Sequence, residues 1–194
     1  MPINMVIDSS DFDVGLKDLE GSKERLLKVS GELSDALTTE IQVKHLRGGT
    51  SATKLKTRSG QLSNRMKPIK PKLSNDKLVF GTSNRLPYAK VHIAPKGTVT
   101  TIKPKSARKL AIPLPAVQTP AGVTRGKPRS FQNTFIRKSK KGNLIIFKNE
   151  GDNIVPLFVL KDQVKIPARV HTDVILKKFK GRVIEEVQEA ILNG

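Results

Sequence analysis

The chain has 194 residues, 37% of them hydrophobic, with a formal net charge of +19 and neither Cys nor Trp. The length suits one domain, and the lack of Cys excludes a disulfide framework and any thiolate metal site. No apolar run approaches the roughly 18 residues of a membrane span, and residues 1–8 lack the basic start and apolar stretch of a signal peptide. A protein made and kept in a cytoplasm, or released from one by lysis, is expected.

The charge is unevenly spread. Nine of the seventeen acids lie in residues 1–40, which carry a net −5, and residues from Glu150 onwards balance at zero. Between Glu40 and Glu150 one acid, Asp76, faces 25 Lys and Arg, a net +24. Such a stretch repels itself at low salt and calls for a polyanion or an acidic protein surface.

In chain order, residues 1–8 read as a strand or extended arm. Ser10 and Asp13 resemble a capping box, and Phe12, Leu16, Leu19, Leu26, Leu33 and Leu37 mark one face of a long helix ending between Thr38 and Leu46. Gly48-Gly49 terminates it. Residues 47–76 read as basic and loop-like, with Leu62 and Met66 on one short helix. Lys67 to Leu73 is expected as an edge segment, because Pro68 and Pro71 cannot donate to a central ladder. Ser74-Asn75-Asp76 turns the chain into a strand from Lys77 to Gly81, and Leu86 to Ile93 forms a short helix or turn.

Residues 95–107 and 115–130 read as flexible or partner-ordered loops, rich in Pro, Gly, Thr and Lys. Lys109 to Leu114, with Leu110, Ile112 and Pro113, predicts a strand, and its expected partner is the apolar run Leu157-Phe158-Val159-Leu160, read as buried on both faces. Between them, Phe135-Ile136 and Leu144 to Phe147 predict a hairpin, and Gly151-Asp152-Asn153 turns into the Pro156–Leu160 strand. A second extended piece ends at Ile166-Pro167, stiffened by the proline. A helix then runs from about Val170 to Leu192, with Leu176, Phe179, Val183, Val187, Ala190 and Ile191 on one face. The expected fold is α+β: a single domain over 1–194, with one antiparallel or mixed sheet, a long helix at each end, and residues 95–150 as a basic loop and hairpin excursion.

No enzymatic constellation assembles from these residues. His45, His92 and His171 share no metal-ligand spacing, no nucleophile elbow or phosphate-binding glycine loop occurs, and His92, beside Tyr88 and apolar neighbours, reads as a satisfied packing residue. No cofactor, no metal and no catalytic residue is expected. The strong signal is cationic. Arg125, Lys127, Arg129, Arg137, Lys138, Lys140 and Lys141 fall in loops or a hairpin tip, suited to sequence-independent contact with phosphates or to acidic protein faces. Phe131 and Phe135 read as core, which leaves no platform for stacking bases.

Four stretches carry a resemblance. Thr57-Arg58-Ser59-Gly60-Gln61-Leu62-Ser63 resembles T-G-x-L-x-x-S, and Val79-Phe80-Gly81-Thr82 with Tyr88-Ala89 and His92 resembles V-x-G-T…Y-A-x-x-H. Arg108 to Leu114 resembles K-x-L-A-I-P-L, and Pro156 to Lys161 with Val164-Lys165-Ile166-Pro167-Ala168-Arg169 resembles L-F-V-L-K…V-x-I-P-A-R-P-F. In this order they resemble the virion-morphogenesis, tail-completion or neck family of tailed bacteriophages. Two departures stand out: Ile93-Ala94-Pro95 replaces the family's Gln-Gly-Gly, and Val170-His171 replaces its Pro-Phe.

The resemblance implies a structural virion protein without catalysis, in a ring at the neck or tail top that joins the DNA-filled head to its tail. The ring is expected to be a hexamer, with a dodecamer the alternative. Its implied partners are connector or head-closure proteins on one side and tail-terminator or tail proteins on the other. Non-specific contact with genome DNA and no membrane contact are expected, with the protein made in the host cytoplasm. The competing reading is a cytoplasmic, ribosome-associated-like protein that binds nucleic acid without sequence preference.

Overall fold

The computed structural model describes residues 3–8, 23–47, 55–74 and 77–192, with the backbone alone in 3–8. The expected capping box at Ser10 and Asp13, the apolar positions Phe12, Leu16 and Leu19, the Gly48-Gly49 stop and the Asn75-Asp76 turn lie outside these residues. The fold is α+β, as expected, and it divides into two compact units: Met1–Thr98 with Pro167–Gly194, and Val99–Ile166.

In the first unit β1 (Ile3–Asp8), β3 (Lys77–Asn84) and β2 (Met66–Ser74) form an antiparallel sheet with β3 in the middle. β2 is the expected edge strand, and it carries a bulge between Ile69 and Lys72, around Pro71. Helix α1 (Lys23–Glu40) runs on into a π-helical turn, Ile41–Leu46. Leu26, Leu33, Leu37 and Ile41 are buried from it, with the small polar residues Ser30, Ser34 and Thr38 between them.

These small side chains let α1 approach the sheet closely, and each finds a partner. The Ser30 hydroxyl donates to the Leu26 carbonyl at 2.6 Å, and the Gly81 N–H donates to Ser34 Oγ at 3.0 Å. The Thr38 hydroxyl sits 2.8 Å from both the Ser34 carbonyl and the Thr82 hydroxyl. Gly81 is buried in β3 at φ 139°, a backbone region that a side chain would strain. Helix α4 (Thr172–Leu192) adds Ile175, Phe179, Val183, Val187 and Ala190 to the same core.

Ile93-Ala94 and Val170-His171, far apart in sequence, meet each other here. β4 (Ile93–Ala94) and β11 (Val170–His171) form a parallel pair, Ile93 opposite Val170 and Ala94 opposite His171, with Ile93 and Val170 buried. The last helix therefore begins at Thr172, after a short strand, and not at Val170.

The second unit holds β5 (Val99–Ile102), β6 (Leu110–Pro113), β7 (Thr134–Lys138), β8 (Leu144–Glu150), β9 (Asn153–Lys161) and β10 (Val164–Pro167, whose last residue is assigned to the first unit). An antiparallel sheet runs in the order β6-β9-β8-β7, and β10 pairs with β5. The expected pairing of the two apolar stretches is present, with Ala111 opposite Leu160 and Pro113 opposite Phe158. The hairpin is present too, with Lys138 opposite Leu144.

Three expectations change here. Among the described residues the strands are shared among four sheets and not one. Residues 95–150 supply three of the four strands of a separate sheet and also β5, which lies inside a stretch read as loop. Short strands set between Pro, Gly and Lys show little periodicity, and only their partners select them. Third, the run Leu157 to Leu160 is not buried on both faces. Ile146 faces Phe158 and Phe147 faces Pro156, so Leu157 is the extra residue of a bulge and joins Phe158 in one cluster with Val117.

Candidate partner-binding surface

The basic stretch gains its form from the second unit's small core. Register places Ala111, Ile146, Val155 and Phe158 on one face of the four-stranded sheet, where Val117 and Phe131 pack against them. Phe131 meets Phe158 edge-on, with ring centroids 5.8 Å apart. The segment that carries Arg125, Lys127 and Arg129 is thereby held over that face, and the Arg125 N–H donates to the Val117 carbonyl at 2.8 Å. Lys127 and Arg129 flank and occupy a 3-10 turn, Pro128–Ser130.

The other four predicted cations belong to the hairpin. Arg137 and Lys138 are on β7. Lys140 and Lys141 sit at its turn, closed by the Gly142 N–H to the Ser139 carbonyl at 2.9 Å. Gly142 at φ 77° supplies the left-handed position that this three-residue connection needs. Asn143 steadies the tip, its N–H donating to Ser139 Oγ and its Oδ1 accepting from Lys161 Nζ at 2.6 Å. The seven predicted cations thus form two groups, one on the covering segment and one on the hairpin.

All seven are exposed, and none is in an ion pair among the described residues. The second unit holds fourteen Lys and Arg against three acids, a net charge of +11. Two of those acids are engaged, Asp162 by Lys109 and Glu150 by Lys148. Sequence reasoning left out Lys103, Lys105, Arg108 and Lys165, which are equally exposed. The absence of acids around them was the signal that could have found them.

The expectation for Phe135 is corrected. It is 37% exposed and stacks on Phe147 with centroids 5.7 Å apart. Its register puts it on the sheet face opposite Phe158, together with Ile112, Ile145 and Val159, none of which joins the core cluster. Phe131 does pack against that cluster.

The motif residues take structural places. Gly60 precedes α2 (Gln61–Asn64), whose Leu62 carbonyl accepts from buried Asn84 at 2.8 Å. Tyr88 caps α3 (Ala89–His92) and its hydroxyl reaches Gln61 at 3.5 Å. The His92 carbonyl accepts from the Arg169 N–H at 3.0 Å, and the Ala168 N–H bonds the Thr98 carbonyl at 2.9 Å, which fixes the chain after Ile166 and Pro167. Leu110, Ile112 and Pro113 make up β6 beside Phe158.

His92 is half-buried but not satisfied: its Nδ1 is buried and has no hydrogen-bond partner among the described residues. Desolvation, and then the guanidiniums of Arg169 and Arg58, hold its pKa below the ordinary value. At the start of α4 the Lys96 N–H, 2.8 Å from Asp173 Oδ1, is the main cause holding the Asp173 carboxyl below its usual range. Among the described residues no group of three or more His, Cys, Asp or Glu lies together as a metal site, and no helix is long and apolar enough to cross a membrane.

No protein-family model, curated protein or solved structure matches this chain.

Proposed function

We propose that this chain is a structural virion protein of a tailed phage, a ring subunit at the neck or tail top that joins the filled head to the tail. The observation that carries the reading is the second unit: a thinly cored sheet with a net charge of +11, its cations exposed and its apolar side chains partly open. A surface of this kind is completed by neighbours, as subunits of a closed ring complete one another. The motif-bearing stretches support the family likeness in a second way. Arg108 to Leu114 and Pro156 to Lys161 are adjacent strands in one register, so two of the four likenesses describe a single structural pair.

The exposed cations serve protein partners in this reading, with a minority along the DNA path. A channel gripping the genome through many phosphates would add contacts to be broken at every step of ejection. The experiment is a variant with Arg125, Lys127, Arg129, Lys138, Lys140 and Lys141 changed to Gln. Heads that package DNA but fail to join tails are expected. Joined particles that leak DNA would assign the charges to the genome instead. A particle reconstruction without a cyclic ring of this chain would overturn the neck reading and leave the nucleic-acid-binding alternative, which the same exposed cations also suit.

A further inference from the structure

One face of the four-stranded sheet in the second unit stands open to solvent. The other face carries Ala111, Ile146 and Phe158, with Val117 and Phe131 packed over them. Register sets the alternate residues on the open face, in rows that cross the strands. One row is Ile112, Val159, Ile145 and Arg137, and the next is Pro156, Phe147 and Phe135. Ile154 lies one row beyond these, and Lys161 lies one row before them. Ile112 is 36% exposed, Phe135 37% and Ile154 57%, and none of the three joins the core cluster. Exposed apolar side chains gathered on one face mark a binding surface, whereas scattered ones do not.

Charge and size say what fits there. Arg137 ends one apolar row and Lys161 borders it, while no Asp or Glu takes a place in these rows. Arg137 is in no ion pair among the described residues, and Lys161 Nζ bonds the neutral Asn143 side chain. A second copy docked face to face would set these cations against their like, in units of net charge +11 each. The four rows from Ile154 to Lys161 span roughly 20 Å along β9, the length of about 13 helical residues. The four strands together are about 14 Å wide, room for one helix and not for two.

We propose that this face seats an amphipathic helix of a partner protein, apolar on one side and acidic along its flanks. The apolar stripe of that helix covers Ile112, Phe135, Phe147 and Val159, and its carboxylates meet Arg137 and Lys161. A helix laid here gives the sheet the second layer that its other face already has in the 115–131 segment. A phosphate backbone would use the cations and leave the apolar rows in water. The inference rests on the reading in which the second unit meets protein, and it names the patch and the chemistry of the partner.

The chain holds no Trp, so a Trp-bearing probe reports its own binding. The probe is a synthetic helix with one Trp, Leu at positions i, i+3, i+4 and i+7, and Glu on the flanks. It is added to the full-length chain and followed by the shift of its Trp emission. Binding is expected, and Phe135→Ser with Ile154→Ser should weaken it at least tenfold. Ile136→Ser, on the same strand as Phe135 but the other face, should change it less than twofold. Arg137→Gln with Lys161→Gln leaves the apolar rows intact and should weaken binding several-fold and flatten its salt dependence. Failure of the probe to bind overturns the proposal, as does equal binding by the Ser pair or by a probe with Lys in place of Glu. Self-association at raised chain concentration that the Ser pair abolishes assigns the face to a second copy and overturns it too. Random duplex DNA whose affinity falls as far with the Ser pair assigns the face to DNA, with the same result. The two readings fail separately. A virion ring in which this sheet face stays open sinks the helix contact alone, and specific probe binding by a chain absent from particles sinks the neck assignment alone.

Discussion

The two units reach stability by different means. Among the described residues the first buries sixteen in one cluster drawn from α1, its π-helical turn, α3, α4 and the strands β2, β3, β4 and β11, while the cluster of the second holds Val117, Leu157 and Phe158. The first carries 22 Lys and Arg against 14 acids, the second fourteen against three. Among the described residues, six of the ten large apolar side chains that remain exposed are in the second unit: Val99, Ile112, Val123, Phe135, Ile136 and Ile154. A unit with a thin core, high charge and open apolar faces is the part of the molecule that local opening reaches first. It is also the part that gains most from a partner. The first unit is the better-packed of the two, and the second is the more open to solvent.

The largest expected effect breaks the second unit alone. Phe158→Ala removes the ring on which Phe131 leans, and should cost about 3–5 kcal/mol, the range for a buried Phe. Hydrogen exchange should show β6 to β9 losing protection while α1 keeps its own. Equal loss in α1 would mean that the two units unfold as one. In the first unit Leu33→Ala should cost about 2–5 kcal/mol, read as a lower melting temperature with β3 and α4 deprotected together. Protection retained in α4 would show that its packing against α1 contributes little.

Pro167→Gly sharpens the boundary, since Pro167 closes β10 where the chain re-enters the first unit. The substitution returns entropy to the unfolded chain and should cost about 1 kcal/mol. An unchanged denaturation midpoint would count against a stiff exit from β10.

The smallest effect is a pH dependence placed in the first unit. His92 is held neutral in the fold, with its pKa below the ordinary value of 6.5. As pH falls below 6.5 the unfolded chain takes up a proton that the folded chain does not, so stability declines until the folded pKa is passed. His92→Gln should flatten that decline between pH 7 and the lowered pKa, measured by urea midpoints at several pH values. An unaltered slope would place the titration elsewhere.

Much of this fold is legible without coordinates. The stripe Leu26, Leu33, Leu37 and the face Phe179, Val183, Val187, Ala190 repeat at the helical period, and such a period arises only when one side of a helix is buried. The proline-marked edge of β2, the lysine-rich hairpin tip and the extended state of Leu110–Pro113 follow from local chemistry: missing donors, turn residues and short apolar runs. The seven cations are legible as exposed because charges without partners stay in water.

Tertiary structure alone decided the rest. Nothing local shows that the strands divide into separate sheets, because a strand's partner is chosen by contacts distant in sequence. The bulge that turns both Leu157 and Phe158 to one side exists only against β8, and the same four apolar letters would serve a doubly buried strand. Phe135 and Phe131 are equivalent as letters. One lies over the core because the 115–131 segment folds onto that face, while the other is left on the face no core cluster claims. The amino-acid sequence by itself determined which segments are helical, which are extended and which stay in water, since those follow from backbone chemistry and side-chain solvation. Which strand meets which, and so which apolar side chains remain open, was decided by packing between residues far apart along the chain.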